Sequence, residues 1–291
     1  MTKLVRLPPI ATKTEEVLPV AETQDWVPLG IDTTVPSMAR VYDYILGGAH
    51  NFAADRQVGS QIEKLVPGLP SVARLNRRFL GRAVNFLMDQ GVRQFLDIGS
   101  GIPTVANVHE VAQDRDPAAR IVYVDKDPVA VAHSQLMLSG NDNAAIVQAD
   151  MRDPEAVLAS PDVRQLLRFD EPIGLLMLLM LHWVPDEDSP EKLVAHYRDA
   201  LPAGSFIVMT HVAKDQIDEK VDQAADVVNR SKSADQMHMR THEQVSALFD
   251  GFELVEPGLV GCGEWRPDGP GDFADEASMN MFLYAGVGRK G

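Results

Sequence analysis

The feature that most constrains the fold is the alternation of short apolar runs with helical segments between residues 94 and 212. Five runs rich in Val, Ile and Leu are each followed by a segment whose apolar residues recur at helical spacing. Buried strands that alternate with helices form crossover units, which place the strands parallel in one sheet. The longest run, "IGLLMLLMLHWV" (173–184), is too short to span a bilayer and is typical of a strand buried on both faces. The pattern therefore predicts an α/β fold.

Both ends of the chain depart from this alternation. Residues 1–30 lack periodicity and are expected to form a flexible N-terminal arm, whereas residues 31–91 contain three helical patterns and predict a helical cap, with Ser37 as the N-cap of its first helix. Residues 92–291 are expected to form the ligand-binding domain. Near the C-terminus, "FELVEPGLV" and "MNMFLYAGVG" are strand-like runs without a helix between them. The sheet is therefore predicted to have seven strands and to finish with an antiparallel pair.

Composition narrows the classes of partner. The net charge is −15 and no run of Lys or Arg is present, which argues against nucleic acid as a partner because a phosphate-binding surface needs clustered cations. The one cysteine, Cys262, rules out an internal disulfide and fits a reducing cytoplasm. No apolar signal segment follows the N-terminus, so neither secretion nor a membrane partner is predicted. Nothing in the composition indicates the oligomeric state.

The segment "LDIGSG" (96–101) joins a strand to a loop with two glycines. A glycine-rich turn at the end of a strand usually cradles a nucleotide-like ligand. The dinucleotide fingerprint G-x-G-x-x-G would need glycine at position 104, where this chain has Thr104. An oxidoreductase that uses a dinucleotide is therefore a disfavoured alternative.

Three acids follow the ends of successive predicted strands, namely Asp97, Asp125 and Asp150. Ligands of open α/β sheets bind at this edge, and an acid in the position of Asp125 typically holds the ribose hydroxyls of an adenosine. Asp97 would repel a pyrophosphate but attract a ligand that carries an ammonium and a sulfonium. Asp150 is expected to accept a hydrogen bond from the adenine amine, while the backbone N–H of Met151 meets the ring. The alternatives are a loop-capping role for Asp97, a surface position for Asp125 and an N-cap role for Asp150.

These motifs resemble those of a known superfamily. "LDIGSG", "YVDKDP", "QADMRDP" and "LPAGS", in this order, are similar to the motifs of class I S-adenosylmethionine-dependent methyltransferases. "ARVYDYILGGAHNFAADR", "GIPTVANVHEVAQ", "LHWVPD", "FDGFELVEPGLV" and "EWRPD" more narrowly resemble an actinobacterial family of S-adenosyl methyltransferases first described as a domain of unknown function. The resemblance covers about residues 33–289. It implies a Rossmann-like fold, methyltransferase activity, S-adenosyl-L-methionine as the cofactor, and cofactor contacts from Gly99, Ser100, Gly101 and Lys126.

The chain departs from the usual superfamily loop at Pro103, which replaces the last glycine. Proline lacks an N–H, so the loop loses one backbone donor, but proline is well tolerated at the start of a helix. Pro103 is therefore predicted to begin the next helix. The methionine carboxylate of the cofactor then needs another donor, for which the candidates are Arg40, Asn76 and Arg77 of the helical cap.

The resemblance also points to the acceptor site. The position of His182, after the fourth strand, faces the transferred methyl in this fold, and a histidine there is a candidate general base. The alternatives are packing against the cofactor or a histidine satisfied by the backbone at a strand end. The remaining predicted pocket residues are Tyr42, Tyr44, Asn51, Trp183 and Trp265. The alternative for the two tyrosines is a place in the core, and the alternative for Trp265 is to fix a loop.

The acceptor is predicted to be a small molecule, because the surface is acidic and a helical cap favours an enclosed pocket. Methyl transfer from a sulfonium is an in-line displacement, for which the protein must mainly align the two reactants and exclude water. No catalytic side chain is then indispensable. A non-catalytic protein that binds the cofactor or a metabolite therefore remains the alternative function. No metal site is predicted.

Overall fold

The computed structural model describes residue 28 and residues 30–104, 106–215, 219–274 and 276–291. The predicted N-terminal arm lies outside these ranges except for Pro28 and Gly30. The helices are α1 (Met38–Ile45), α2 (Ala53–Leu65), α3 (Leu69–Asp89), α4 (Val108–Arg115), α5 (Pro128–Met137), α6 (Pro154–Ala159), α7 (Pro161–Leu166), α8 (Pro190–Ala200), α9 (Glu219–Asn229), α10 (His242–Ala247) and α11 (Ala277–Asn280). The strands are β1 (Gln94–Ile98), β2 (Arg120–Asp125), β3 (Ala144–Gln148), β4 (Gly174–Leu178), β5 (Phe206–Val212), β6 (Glu253–Leu254), β7 (Val260–Gly261) and β8 (Leu283–Arg289).

The predicted mostly parallel sheet is confirmed. In the described part of the chain it has 8 strands in the order β3-β2-β1-β4-β5-β8-β6, and β7 also pairs with β8. The first five strands are parallel, whereas β8 runs antiparallel to β5, β6 and β7. The predicted number of seven strands is wrong, because "FELVEPGLV" divides into two short strands instead of one. The strand order reverses between β1 and β4, and ligands of such sheets bind at the carboxyl ends beside this reversal.

The central strands are buried on both faces. Along β1, Phe95 belongs to one apolar cluster and Leu96 to the other, because successive side chains of a strand point to opposite faces. Helix α3 lies close against the first face: a Cβ on Gly174 would stand 2.7 Å from Leu87 Cδ2. The helix that precedes the sheet in the chain is thus part of its core.

The predicted helical cap consists of α1, α2 and α3, with α9 packed against α2. Ser37 is the N-cap of α1 as predicted, but its side chain makes no capping hydrogen bond; its backbone is extended and its N–H donates to Asp55 Oδ1 at 2.9 Å. The fully buried Asp55 also accepts from the Phe52 N–H at 2.8 Å and from Arg40 Nε at 2.9 Å. One carboxylate therefore joins the start of α1 to the start of α2.

Several predicted boundaries are wrong for local reasons. Pro103 does not begin a helix, because α4 starts at Val108 behind a capping box in which the Asn107 N–H donates to Glu110 Oε2 at 2.7 Å. The helical segment expected between the third and fourth apolar runs forms two helices, α6 and α7, since Pro161 has no N–H to continue the first one. The apolar run at 173–184 is a strand only in its first part: β4 ends at Leu178, and a 3₁₀ turn follows at Leu181–Trp183.

Within the described residues, no helix combines the length and the apolar character that crossing a bilayer requires.

Candidate active site

A cavity lies between the carboxyl ends of the central strands and the helices α1, α2, α3 and α9. Most of the residues predicted for the site line it. They are Asp97, Gly99, Ser100, Gly101, Asp125, Lys126, Asp150, Met151, Asn76, Arg77, Tyr42, His182 and Trp183. We call the part formed by the loops after β1, β2 and β3 the strand-edge half, and the part formed by the helices and by β8 the helical half.

The loop after β1 has the conformation that its glycines allow. Gly99 and Gly101 have φ angles of 72° and 67°, which are unfavourable for residues with a side chain. A Cβ on Gly99 would collide with the Met180 side chain, whereas one on Gly101 would meet no atom within 4 Å. The loop therefore approaches the segment after β4 closely at Gly99 and leaves open space beside Gly101.

Asp125 closes the glycine loop from the next strand. Its Oδ2 accepts the Gly101 N–H at 2.8 Å and its Oδ1 accepts the Asp127 N–H at 2.8 Å. Burial raises the pKa of this carboxyl to about 6, against the opposing effect of these two N–H groups. An ionised carboxylate has about four acceptor positions, so Asp125 can bind hydroxyl groups of a ligand in addition.

Asp97 is the least compensated acid of the cavity. Burial raises the pKa of its carboxyl to about 7; the Arg77 guanidinium opposes this rise and the nearby Asp125 adds to it. A positively charged ligand next to Asp97 would favour the ionised form and lower this pKa. The strand-edge half thus has the electrostatic character that suits a cation.

The loop after β3 brings a third acid. Asp150 is bound by its neighbour Arg152, with Nε 3.0 Å from Oδ1 and Nη2 2.5 Å from Oδ2. Although partial burial raises the pKa of Asp150, the hydrogen bonds from Arg152 outweigh this effect and lower it. Met151 is buried, and its carbonyl accepts from Tyr197 Oη at 2.8 Å. Lys126, after β2, pairs with Asp235.

Asn76 and Tyr42 form a small hydrogen-bonded group between α3, α1 and β5. Asn76 Nδ2 donates to Tyr42 Oη at 3.2 Å, Tyr42 Oη donates to the Ala73 carbonyl at 3.1 Å, and Thr210 Oγ1 donates to Asn76 Oδ1 at 2.8 Å. Arg77, the next residue of α3, donates to the Ala106 carbonyl at 3.0 Å and to Asn107 Oδ1 at 3.3 Å. Arg77 thereby links the helical cap to the loop that Pro103 begins.

His182 lies where the two halves of the cavity meet. It is 2 % exposed, and its Nδ1 has no hydrogen-bond partner among the described residues. Its ring packs against Trp183, with the ring centroids 4.3 Å apart. Burial lowers the pKa of His182 well below its ordinary value of 6.5, and the neighbouring His211, Arg240 and His238 lower it further. Burial and these neighbours therefore favour the neutral ring.

A buried arginine holds the turn that carries His182. Arg240 donates to the Leu181 carbonyl at 2.8 Å and to the Val184 carbonyl at 2.7 Å, so it binds both ends of the turn. It also pairs with Asp186 at 2.6 Å. Arg240 Nη1 lies 3.1 Å from His211 Nε2, and because arginine only donates, the His211 proton lies on Nδ1, which faces the Val212 carbonyl.

Four predicted site residues do not line the cavity. The guanidinium of Arg40 is engaged by Asp55 at 2.9 Å, Asp127 at 3.3 Å and the Val35 carbonyl at 2.7 Å, so it serves the helical cap. Asn51 Nδ2 donates to Asp43 at 2.8 Å. Tyr44 packs against Gly59, where a Cβ would overlap its ring.

The fourth residue, Trp265, is fully buried beneath α3 instead of in the acceptor pocket. Its ring makes edge contacts with Phe79 and Phe86, at centroid distances of 5.3 and 5.8 Å. Its backbone carbonyl accepts from Arg82 Nε at 3.0 Å. Trp265 therefore fixes the segment between β7 and β8 to the core, which is the alternative that its sequence context left open.

The sequence also left part of the wall unassigned. Helix α9, in which the sequence predicted no site residue, lines the cavity with Val221, Ala224, Ala225 and Val228. These positions follow the i, i+3, i+4, i+7 spacing of one helix face, which is the signal that identifies them. Arg240 and Asp235 had no comparable signal, because their partners lie far away in the sequence.

Comparison with known proteins identifies the family. A family model described as S-adenosyl methyltransferase matches residues 24–291. The chain belongs to the S-adenosyl methyltransferase family. A DUF574 family protein of known structure from Streptomyces avermitilis is 37% identical over 89% of this chain and 99% of its own, with a TM-score of 0.85. A structure from Thermobifida fusca, described as that of a proposed methyltransferase, is 41% identical over 91% of this chain and 98% of its own, also with a TM-score of 0.85. A search of curated proteins found no match.

Membership of the S-adenosyl methyltransferase family confirms the predicted fold, the predicted methyltransferase activity and the predicted cofactor, S-adenosyl-L-methionine. The residues of the cavity fit this cofactor. Asp97 and Asp125 are buried carboxyls whose ionised forms a cationic ligand would favour. The open space at Gly101 lies beside Asp125, whose Oδ2 accepts the Gly101 N–H. Within the described residues, no group of three or more His, Cys, Asp or Glu side chains is arranged to hold a metal ion.

Proposed function

We propose that the chain transfers the methyl group of S-adenosylmethionine to a small molecule that binds in the helical half of the cavity. The observation that supports this proposal is that His182, whose buried Nδ1 has no partner among the described residues, lines the same cavity as Asp97 and Asp125. A buried polar atom without a partner destabilises the protein. A hydroxyl group of an acceptor molecule would supply the missing partner.

The strand-edge half would hold the cofactor. Asp125 accepts the two ribose hydroxyls, in addition to the N–H groups that it already binds. Asp97 lies beside the ammonium group, whose charge favours its ionised form. Met151 and the loop after β3 contact the adenine, with Asp150 fixed by Arg152. With Arg40 engaged elsewhere, Asn76 and Arg77 remain as the donors for the methionine carboxylate.

When bound, S-adenosylmethionine supplies a methyl group on a positively charged sulfur, which leaves as a neutral thioether. His182 accepts the hydrogen bond of the acceptor hydroxyl at Nδ1 and takes its proton as the new bond to carbon forms. Because its pKa is well below 6.5, the ring is available in its unprotonated form at neutral pH. Arg240 keeps the turn in place, and the enclosing helices exclude water.

Two measurements test the proposed function. Calorimetry is expected to show micromolar binding of S-adenosylmethionine, which corresponds to about −8 kcal/mol, and no binding of NAD. Incubation with methyl-labelled S-adenosylmethionine and a cell extract separated by mass is expected to place the label in the small-molecule fraction. Label in protein or nucleic acid would overturn the small-molecule acceptor.

The alternative of a non-catalytic binding protein, which arose because methyl transfer needs no indispensable side chain, is disfavoured by membership of a methyltransferase family. It predicts tight binding of the cofactor without release of S-adenosylhomocysteine in the presence of any extract fraction. The absence of nucleic acid partners and the cytoplasmic location stay predictions from composition.

A further inference from the structure

The two halves of the cavity differ in chemistry. Most charged side chains that line the cavity belong to the loops of the strand-edge half. Lys126 of these loops binds Asp235, and Arg152 binds Asp150. Arg77 lies near enough to Asp97 to lower its pKa. The walls contributed by α2 and α9 are instead aliphatic, and they include Ile62, Val66, Val221, Ala224, Ala225 and Val228.

The polar side chains that α1 and α3 contribute to the cavity have partners in the protein, and Asn76 and Arg77 also serve the methionine carboxylate in the proposed cofactor complex. Tyr42 and Asn76 bind each other, and each has a second partner in the Ala73 carbonyl and in Thr210. His182 Nδ1, in contrast, has no partner in the described part of the chain. A molecule in the helical half therefore meets hydrocarbon on most sides, together with the ring of His182.

We infer that the acceptor is an uncharged, largely hydrocarbon alcohol or phenol whose hydroxyl binds His182; this inference rests on the proposed function. Arg77 serves the methionine carboxylate in the proposed cofactor complex, so a charged group between the aliphatic walls of α2 and α9 would lose its hydration without meeting an opposite charge, which strongly opposes binding. A hydrocarbon body gains free energy in proportion to the apolar surface that it removes from water. The hydroxyl is the group that can pair with the neutral ring of His182 in either of its tautomers.

Two fluorescent probes that share one ring system test the inference. N-phenyl-1-naphthylamine is neutral, and 1-anilinonaphthalene-8-sulfonate carries one added negative charge. Each is titrated into the full chain saturated with S-adenosylhomocysteine, so that only the helical half is open. We expect the neutral probe to bind at least about tenfold more tightly, a difference of about 1.4 kcal/mol. Equal affinities, or tighter binding of the anion, would overturn the inference.

A matched pair of variants locates the probe. Ala224 faces the cavity, whereas its neighbour Gln223 is exposed on the same helix. Ala224→Lys is expected to lower the affinity for the neutral probe at least about tenfold, while Gln223→Lys leaves this affinity unchanged. If Ala224→Lys does not fold, Ala225→Trp is used in its place, because the tryptophan side chain fills the same part of the cavity without adding a charge. Unchanged affinity in the folded variant would show that the probe binds elsewhere and would overturn the inference.

The same titrations separate this inference from the proposed function. Calorimetry with S-adenosylhomocysteine is performed on the unaltered chain and on both variants. Cofactor-product binding without binding of either probe would overturn the acceptor class and leave the methyltransferase function intact. Binding of the neutral probe without binding of S-adenosylhomocysteine would instead overturn the proposed function.

Discussion

Two clusters of buried charge in this molecule differ in how they are neutralised. In the first, which we call the scaffold cluster, Arg40 lies between Asp55 and Asp127, and every partner is a group of the protein. In the second, the ligand-facing pair, Asp97 and Asp125 are buried carboxyls with pKa values raised to about 7 and about 6. Complete internal pairing is typical of a structural role, whereas incomplete pairing at a sheet edge indicates a binding site.

The largest expected effect concerns the scaffold cluster. Arg40→Ala leaves the carboxylates of Asp55 and Asp127 buried without a counter-charge, so the free energy of unfolding is expected to fall by about 3–5 kcal/mol. Denaturant titration measures this change. Arg230→Ala, which removes only an exposed ion pair with Asp226, is the control and should cost less than about 1 kcal/mol. If Arg40→Ala kept its stability but lost cofactor binding, Arg40 would belong to the ligand site after all.

Substitution of His182 tests whether this residue takes part in catalysis. If it takes the acceptor proton, His182→Ala should lower turnover by about 10²–10⁴ with the cofactor affinity nearly unchanged. The loss should shrink as the pH rises, because the acceptor then ionises without help. Turnover with a methyl-labelled cofactor measures both effects, and His196→Ala, at an exposed position of α8, is the control. Equal losses of binding and turnover, with an unchanged pH profile, would indicate a packing role.

The difference between the scaffold cluster and the ligand-facing pair also explains which residues could be located from the sequence. Asp97, Asp125 and Asp150 follow strand ends, and because the carboxyl ends of parallel strands share one edge, their position follows from the strand pattern alone. Arg40 and Trp265 carry no such constraint. Arg40 meets Asp55 and Asp127 on two other segments, and Trp265 meets α3. Their roles depend on how helices pack, which local patterns leave open.

Asp125 tests the ligand-facing pair directly. A carboxylate that holds a ribose diol makes two charge-assisted hydrogen bonds of about 1.5–3 kcal/mol each, so Asp125→Ala is expected to weaken cofactor binding at least about tenfold. Calorimetry measures the affinity. Asp153→Ala is the matched control, because Asp153 only caps α6, accepting the Ala156 N–H at 3.0 Å. The control should lose about 1 kcal/mol of stability and no affinity. An unchanged affinity of Asp125→Ala would remove Asp125 from the site.

Asp97 couples stability to pH. Its pKa lies at about 7, above the ordinary 3.8, so its contribution to stability is full below pH 3.8 and is lost as the pH rises through about 7. Asparagine cannot ionise, so Asp97→Asn is expected to stabilise the cofactor-free chain by about 1–3 kcal/mol at pH 8 and by little at pH 4. Paired denaturant titrations at the two pH values measure this difference.

The same substitution is expected to weaken cofactor binding, because the ammonium group loses its carboxylate. In the unaltered chain, the cofactor affinity should fall as the pH drops below about 7 and Asp97 takes up a proton. In Asp97→Asn this part of the pH dependence should disappear. A variant that is destabilised at pH 8, or that binds the cofactor as the unaltered chain does, would show that Asp97 acts as a structural loop cap.

The smallest expected effect concerns Pro103, which tests where the methionine end of the cofactor is held. Pro103 lies in the loop that Arg77 fixes through the Ala106 carbonyl, and replacing it with glycine restores one backbone N–H but loosens the loop. We expect Pro103→Gly to lose about 0.4–1 kcal/mol of stability, because the unfolded chain gains conformational freedom. Its cofactor affinity should stay unchanged, since Asn76 and Arg77 already supply the donors. Pro117→Gly, at an exposed turn after α4, is the control for the stability change.

A gain in affinity of about tenfold, or about 1.4 kcal/mol, in Pro103→Gly alone would mean that the loop holds the carboxylate. The helical half would then bind only the acceptor.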